Sequence, residues 1–389
     1  MANVTKRGNS YRIRVSSGYD VTGKQIVRTM TWTPPPGLTN RQIEKELERQ
    51  KVLFEESSIA ATVIKFQTFA EQWFKDYAIH KIRTSTLVRY HQLEKRIYDA
   101  IGHLRIDKIT TRHIQTFINN LCDKGANQVN GEPLSPKTVR HYLSFISSIL
   151  TYATKIGIIK ENPCRNVFLP PMKTKPRDIY TLEETQHFLD LLNKEPLMYQ
   201  VFFSLAIFAG FRRSELLGLE WKDVDFENHI ITICRSSLYT KEKGIYTDQT
   251  KTDSSRRSLK LPADIFDLLR EYRAEQNERR LQLGDQWHDH DRLFIAWNGN
   301  PMNPNTPYSW YDRFCKRVGI RRISIHGFRH LNASLLIDSG ATARTVSAAL
   351  GHSQTSTTLN IYAHSFAVAQ AKASEAIAEK INLNKKSKA

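Results

Sequence analysis

The sequence predicts a multidomain, mainly α protein with small β elements, divided into residues 1–62, 63–170 and 171–389. Three observations carry that expectation. Residues 10–33 alternate apolar and polar side chains with the period of strands, and from Phe66 to about Phe168 the period becomes that of helices. Between Leu169 and Arg177 the chain is proline-rich and basic, the composition of an extended linker. A length of 389 residues suits two or three domains at about 100–200 residues each.

In the first region, Tyr11, Ile13 and Val15 alternate with Arg12 and Arg14, which describes a strand with one solvated face. Asp20–Gly23 reads as a turn, and Lys24–Thr33 as a returning strand on which Arg28 shares parity with Ile26, Met30 and Trp32. Pro34-Pro35-Pro36-Gly37 ends that strand. Thr39 then caps a helix, with Gln42 in the capping-box position and Ile43, Leu47 and Phe54 on one face. A strand–strand–helix unit with Arg12, Arg14 and Arg28 on its sheet fits a DNA groove, or is a solvated basic face.

Four helices follow. Phe69, Trp73 and Tyr77 mark the first; Leu87, Tyr90 and Ile97 the second; Ile114, Phe117 and Leu121 the third. The fourth opens with Ser135 as N-cap and Pro136 at its first position, and buries Val139, Tyr142, Phe145, Ile146 and Ile149. Lys81, Arg83, Lys137, Arg140 and His141 fall near helix starts, where backbone amides and basic side chains both meet phosphates, although charged helix surfaces look the same. The third region starts with a capping box at Thr181 and Glu184 and is mostly helical. It is interrupted by a β-hairpin pattern, Ile230–Cys234 and, after a turn-rich stretch, Arg256–Leu261. A polar tail, Asn384–Ala389, ends the chain.

Lys and Arg number 57 against 39 Asp and Glu, a formal charge of +18, so a polyanion is the expected partner. Val201–Phe211, the longest apolar stretch, is shorter than the ~20 residues a membrane span needs, and the polar, basic start lacks a secretory signal's apolar core. Cys122, Cys164, Cys234 and Cys315 lie far apart without CxxC spacing, which argues against a zinc module or disulfide framework and suits a reducing cytoplasm.

Four short signals in the third region carry chemistry. After an apolar run that stops at Gly210 comes Arg212, with Glu215 placed to hold its guanidinium; alone this reads as a structural pair. Lys251 sits in the polar turn Thr250–Arg257, where a lone loop lysine would mean little. His326 and Arg329, three apart, share one face of a helix start and suit a phosphodiester, or ordinary surface. His352 ends a helix at Gly351, and Tyr362 follows ten residues later; a tyrosine is more often core than nucleophile. Together they supply two Arg, two His, a Lys and a Tyr without an acidic metal cluster. Metal-free phosphodiester cleavage needs cations on the non-bridging oxygens, a nucleophile, and an acid for the leaving oxygen. The set fills each role.

In order and in kind, this set over Thr181–His364 resembles the catalytic domain of tyrosine recombinases, the phage-integrase family. The whole chain looks most like integrases of prophages and integrative conjugative elements of Gram-positive bacteria. The resemblance implies that Arg212 and Arg329 clamp the scissile phosphate and Lys251 protonates the departing 5′-oxygen. It implies that His326 assists proton transfer to and from Tyr362, that His352 hydrogen-bonds the phosphate, and that Glu215 supports Arg212. Tyr362 would attack to give a 3′-phosphotyrosyl link, reversible without ATP, metal or other cofactor. Phe328 and Ser334 stand where the family often has Leu and Thr, both mild packing changes.

The first two domains resemble those that bind arm and core DNA sites. The Ala-rich stretch Ser365–Ile381, with Phe366, Ala369, Ala373, Ala376 and Ile377 on one stripe, looks like the tail that packs onto a neighbouring subunit of a DNA-bound tetramer, unless it folds back on its own domain. The family also implies an excisionase and a host DNA-bending protein as partners. Two other functions fit less well: a type IB topoisomerase, which would relax DNA as a monomer, and a catalytically dead DNA-binding regulator.

Overall fold

The computed structural model describes residues 3–19, 25–58, 64–172, 178–249 and 256–381. The chain divides into two compact units, Met1–Thr174 and Lys175–Ala389, with the division inside the proline-rich segment.

The first unit opens with a three-stranded antiparallel sheet in the order β1 (Asn3–Arg7), β2 (Ser10–Tyr19), β3 (Gln25–Trp32). The edge strand β1 is one more than the sequence predicts. Its only apolar residue is Val4 and it is held by backbone pairing to β2, so no side-chain alternation betrays it. Ile13 and Val15 are buried while Arg14 is exposed and Arg12 half-buried, as their alternation requires. Arg12 pairs with Thr5 and Thr31, and Arg14 with Asn3 and Thr29, so the arginine face is polar throughout. Arg28 lies opposite Val15, and its side chain, like the expected turn Asp20–Gly23, is outside the described residues. Helix α1 (Asn40–Ser58) lies against β2 and β3. Its capping box is present: the Thr39 backbone N–H donates to Gln42 Oε1 at 3.0 Å.

Next comes a helical bundle. Helix α2 (Phe66–Trp73) runs through a π turn, Phe74–Ala78, into α3 (Ile79–Lys81), and α4 (Thr84–Ile97) runs into a second π turn, Tyr98–Gly102. Then come α5 (Thr111–Leu121) and α6 (Pro136–Lys155). Ser135 accepts from the Thr138 amide at 3.2 Å, with Pro136 at the first helical position, as its sequence predicts. Phe66, Trp73, Ile97, Ile114, Phe145 and Ile149 fill the core, where Tyr90 stacks on Phe145 at 4.4 Å.

In the second unit α7 (Leu182–Leu192) carries the predicted capping box, Thr181 N–H to Glu184 Oε2 at 2.8 Å. Helix α8 (Leu197–Phe208) is buried nearly all round among Phe188, Phe294, Phe314 and Phe328. A single turn, α9 (Arg213–Leu216), leads to the strands β4 (Val224–Asp225) and β5 (Ile230–Ile233). The stretch read as turn-rich is instead a hairpin of its own, β6 (Arg235–Thr240) with β7 (Gly244–Gln249). Its mixed Ser, Thr and Tyr content hides the alternation, while Leu238 opposite Tyr246 supplies the cross-strand pair. The expected partner of β5 is β8 (Arg257–Lys260), antiparallel with Ile230 opposite Lys260.

Among the described residues, five helices complete the unit: α10 (Ala263–Leu283), α11 (Thr306–Val318), α12 (Ile325–Asp338), α13 (Ala343–Leu350) and α14 (Thr355–Lys380). Helix α14 is broken at Tyr362, whose φ of −115° and ψ of 22° depart from helical values. Beyond it, Phe366 and Ala369 pack on this unit's own Ala333, Ile337, Val346 and Leu350, and Lys372 pairs with Asp338 at 2.6 Å. Ile377 and Ile381 are exposed. Among the described residues, no helix is long and apolar enough to cross a membrane.

Candidate active site

Gly210 positions the first element of the site. With φ of +61° it turns the chain sharply after α8, and a Cβ there would lie 2.6 Å from Asn332 Oδ1. Only glycine lets the corner sit so close to α12. Asn332 Nδ2 donates to the carbonyls of Ile207 and Phe208 at 2.9 and 3.0 Å, pinning α12 to the end of α8. One turn earlier on α12, Arg329 is almost wholly buried and donates to Gly210 O at 2.8 Å and to Leu350 O at 2.5 Å.

Arg212 follows Gly210 and starts α9. Its Nη1 donates to Glu215 Oε1 at 2.6 Å and its Nη2 to Gly351 O at 3.2 Å. The other Glu215 oxygen accepts from the Arg212 amide at 3.0 Å and from Arg257 Nη2 at 2.9 Å. Arg257 Nε in turn donates to Ala349 O at 2.7 Å. Three guanidiniums therefore converge on the consecutive carbonyls of Ala349, Leu350 and Gly351, the negative end of α13. Gly351 ends that helix with φ of +64°, and a Cβ there would meet Arg257 Nη1 at 2.9 Å.

So many cations in a small volume shift their neighbours. Burial raises the Glu215 pKa, but the charges and hydrogen bonds of Arg257 and Arg212 outweigh it and hold the carboxylate ionised. Burial first, then the like charge of Arg212, lowers the Arg329 guanidinium to about 9, still protonated at neutral pH. His352, just past Gly351, is lowered to about 4 by burial and then by Arg329, Arg212 and Arg257. It is therefore neutral at neutral pH, and its Nδ1 shares a hydrogen bond with Thr358 Oγ1 at 2.8 Å.

Tyr362 is buried, and its ionisation is felt by Arg329. Its hydroxyl lies 2.7 Å from Nδ1 of His330, a buried residue beside Arg329. His326 stands exposed in the first turn of α12, its ring edge-on to His330 with centroids 4.7 Å apart. The structure thus brings Arg212, Glu215, His326, Arg329, His352 and Tyr362 into one region. Lys251 lies outside the described residues. Arg257 and His330 are the participants that sequence reasoning missed. Arg257 ends the predicted polar turn Thr250–Arg257 and His330 directly follows Arg329, but their partners are set by tertiary hydrogen bonds that no spacing reveals. Among the described residues no three His, Cys, Asp or Glu side chains converge as a metal-binding set.

The basic candidates of the first unit are scattered. Lys81 and Arg83 are exposed on either side of the break between α3 and α4, and Lys137 is exposed in the first turn of α6. Arg140 is half-buried and donates to Pro170 O at 3.3 Å, and His141 lies 3.3 Å from Arg89.

Two family models match the chain: phage integrase family over residues 179–368, and phage integrase, N-terminal SAM-like domain, over residues 65–122. The ICEBs1 integrase of Bacillus subtilis strain 168 is 28% identical over 356 residues, covering 91% of this chain and 93% of that protein. The integrase of Staphylococcus phage L54a is 24% identical and covers 83% and 94%. Among solved structures, the Tn1549 transposon integrase in complex with transposon right end DNA superposes with a TM-score of 0.67 at 21% identity, covering 81% of this chain and all of that one (100%). A lambda integrase dimer bound to a core site gives 0.55 at 16% identity, covering 92% and 94%.

Proposed function

Since the chain belongs to the phage integrase family, whose members are site-specific DNA recombinases, we propose that it cuts and rejoins strands through a 3′-phosphotyrosyl link at Tyr362. The outcome is integration and excision of a mobile element. One observation carries this reading: a buried tyrosine hydroxyl lies in the same small region as Arg212 and Arg329, held there by its own chain. Arg212 and Arg329 bind the non-bridging oxygens of the scissile phosphate and meet the charge that grows in the pentacoordinate transition state. Glu215 fixes Arg212. His352, neutral, hydrogen-bonds the phosphate; His326 assists proton transfer to and from Tyr362 by way of the His330 ring that it meets edge-on. Lys251 is the acid for the departing 5′-oxygen. Because the phosphotyrosine ester conserves bond energy, the partner strand's 5′-hydroxyl reverses the step.

The substrate is double-stranded DNA. Arg12, Arg14 and Arg28 on the sheet take arm sites, while Lys81, Arg83, Lys137 and Arg140 on the helices take the core site; the polar sheet face and the exposed lysines support this division. On DNA the chain forms a tetramer, an assembly in which lambda integrase has been solved on a Holliday junction. Of the stretch Ser365–Ile381 expected to pack onto a neighbour, Phe366, Ala369 and Lys372 are engaged by their own unit, so exchange between subunits is confined to the part beyond Lys372, where Ile377 and Ile381 are exposed. An excisionase and a host DNA-bending protein assist in choosing direction.

A nicked suicide duplex carrying the element's end sequence tests the chemistry. A covalent 3′ adduct should form in the presence of EDTA and vanish in Tyr362→Phe. Adduct that survives the substitution, or that needs a metal, refutes the assignment.

A further inference from the structure

His330, to which the sequence assigned no role, is in hydrogen-bond contact with the nucleophile. Its Nδ1 lies 2.7 Å from Tyr362 Oη, its ring centroid 5.6 Å from the phenol ring, and both side chains are buried. A phenol, with an ordinary pKa of about 10, must lose its proton as it attacks at neutral pH. The guanidiniums around it stabilise the resulting charge but accept no proton. An imidazole at hydrogen-bond distance does.

We propose that His330 is a catalytic residue that takes the phenolic proton of Tyr362 during strand cleavage and returns it during rejoining. The inference rests on the reading of Tyr362 as nucleophile. With the ring proton on Nε2, Nδ1 presents its lone pair to Oη. As the Oη–P bond forms and the P–O5′ bond breaks, the proton moves from Oη to Nδ1, and the 5′-oxygen receives its own proton from Lys251. In the reverse step the 5′-hydroxyl returns a proton to Lys251 and the departing phenolate recovers one from His330. Among the described residues, His326 on α12 adjoins His330, Arg329 interacts with Tyr362, and Arg212 and Glu215 from the α8–α9 corner, Arg257 at the start of β8 and His352 after α13 interact in turn with Arg329. Their net positive charge favours the phenolate and opposes a further cation at His330, so the transferred proton is held only for the lifetime of the step.

Burial makes truncation at this position hazardous for folding, and His330→Asn is the informative variant. Its amide reaches the Nδ1 position and keeps a hydrogen bond, but it cannot take a proton. The substrate is the suicide duplex with sulfur in the bridging 5′ position, whose thiolate leaves without an acid, so that only activation of the nucleophile is read. His330→Asn should bind this duplex like the wild type yet form adduct about 10²-fold more slowly at neutral pH, within the usual range for a lost general base. Its rate should climb about tenfold per pH unit where the wild-type rate has levelled off. Cleavage by His330→Asn within about threefold of wild type, or a loss that leaves the pH profile unchanged, overturns the proposal. Adduct formed by Tyr362→Phe in the same assay would instead overturn the reading on which it rests.

Discussion

Replacing Arg329 by Ala should lower the rate of adduct formation by about 10³-fold or more, while DNA binding changes only a few-fold. Removing a single neutral donor from a preorganised site costs about 10²–10³ in rate, and Arg329 supplies a full charge from a nearly dry position. The same substitution strips donors from the carbonyls of Gly210 and Leu350, so stability should also fall, at about 1–3 kcal/mol for each buried group left unpaired. Single-turnover rates and thermal unfolding separate the two losses. Arg329→Lys keeps charge but not the fork that reaches both carbonyls, and it should recover only part of the rate. An Arg329→Ala protein that cleaves at near wild-type rate would remove the transition-state clamp from the mechanism.

Glu215 gives the second large effect, through stability rather than contact with DNA. Its carboxylate is 2% exposed and sits between Arg212 and Arg257. Deleting one partner of a buried ion pair typically costs about 3–5 kcal/mol, because the charge left behind is uncompensated. Glu215→Ala should therefore lower the Tm by about 10 °C, at roughly 2–4 °C per kcal/mol for a domain of about 150–250 residues. The sign with pH follows from the depressed pKa. The stabilisation is complete above the ordinary carboxylate range and is lost as acidity passes the lower folded-state value. Wild type should accordingly lose stability relative to Glu215→Gln on acidification. An unchanged Tm in Glu215→Ala would show that the two arginines find other anions.

Much of this architecture is legible before any coordinates. Alternation at Tyr11–Val15 and the caps at Thr39, Ser135 and Thr181 are local signals, and local hydrogen bonds answer them. The site residues Arg212, Glu215, Arg329, His352 and Tyr362 are legible because the chemistry restricts residue types at recognisable corners, such as Gly210 and Gly351. What stays hidden depends on partners far away in sequence. Strand β1 has a single apolar residue and owes its form to β2. The β6–β7 hairpin is too polar to show its period. Arg257 and His330 acquire their places only when α13 presents its last carbonyls and α14 delivers Tyr362.

At the centre of this account is a site completed by the chain's own tyrosine, packed against α12 and α13 of the same unit. Mixing Tyr362→Phe with Arg329→Ala on the suicide duplex tests that most directly. If each subunit supplies its own nucleophile, neither partner holds both parts, and the mixture should form no more adduct than Arg329→Ala alone. Adduct restored toward the wild-type level would mean that Tyr362 of one subunit attacks beside the arginines of another, and the arrangement described here would not be the one that cuts DNA.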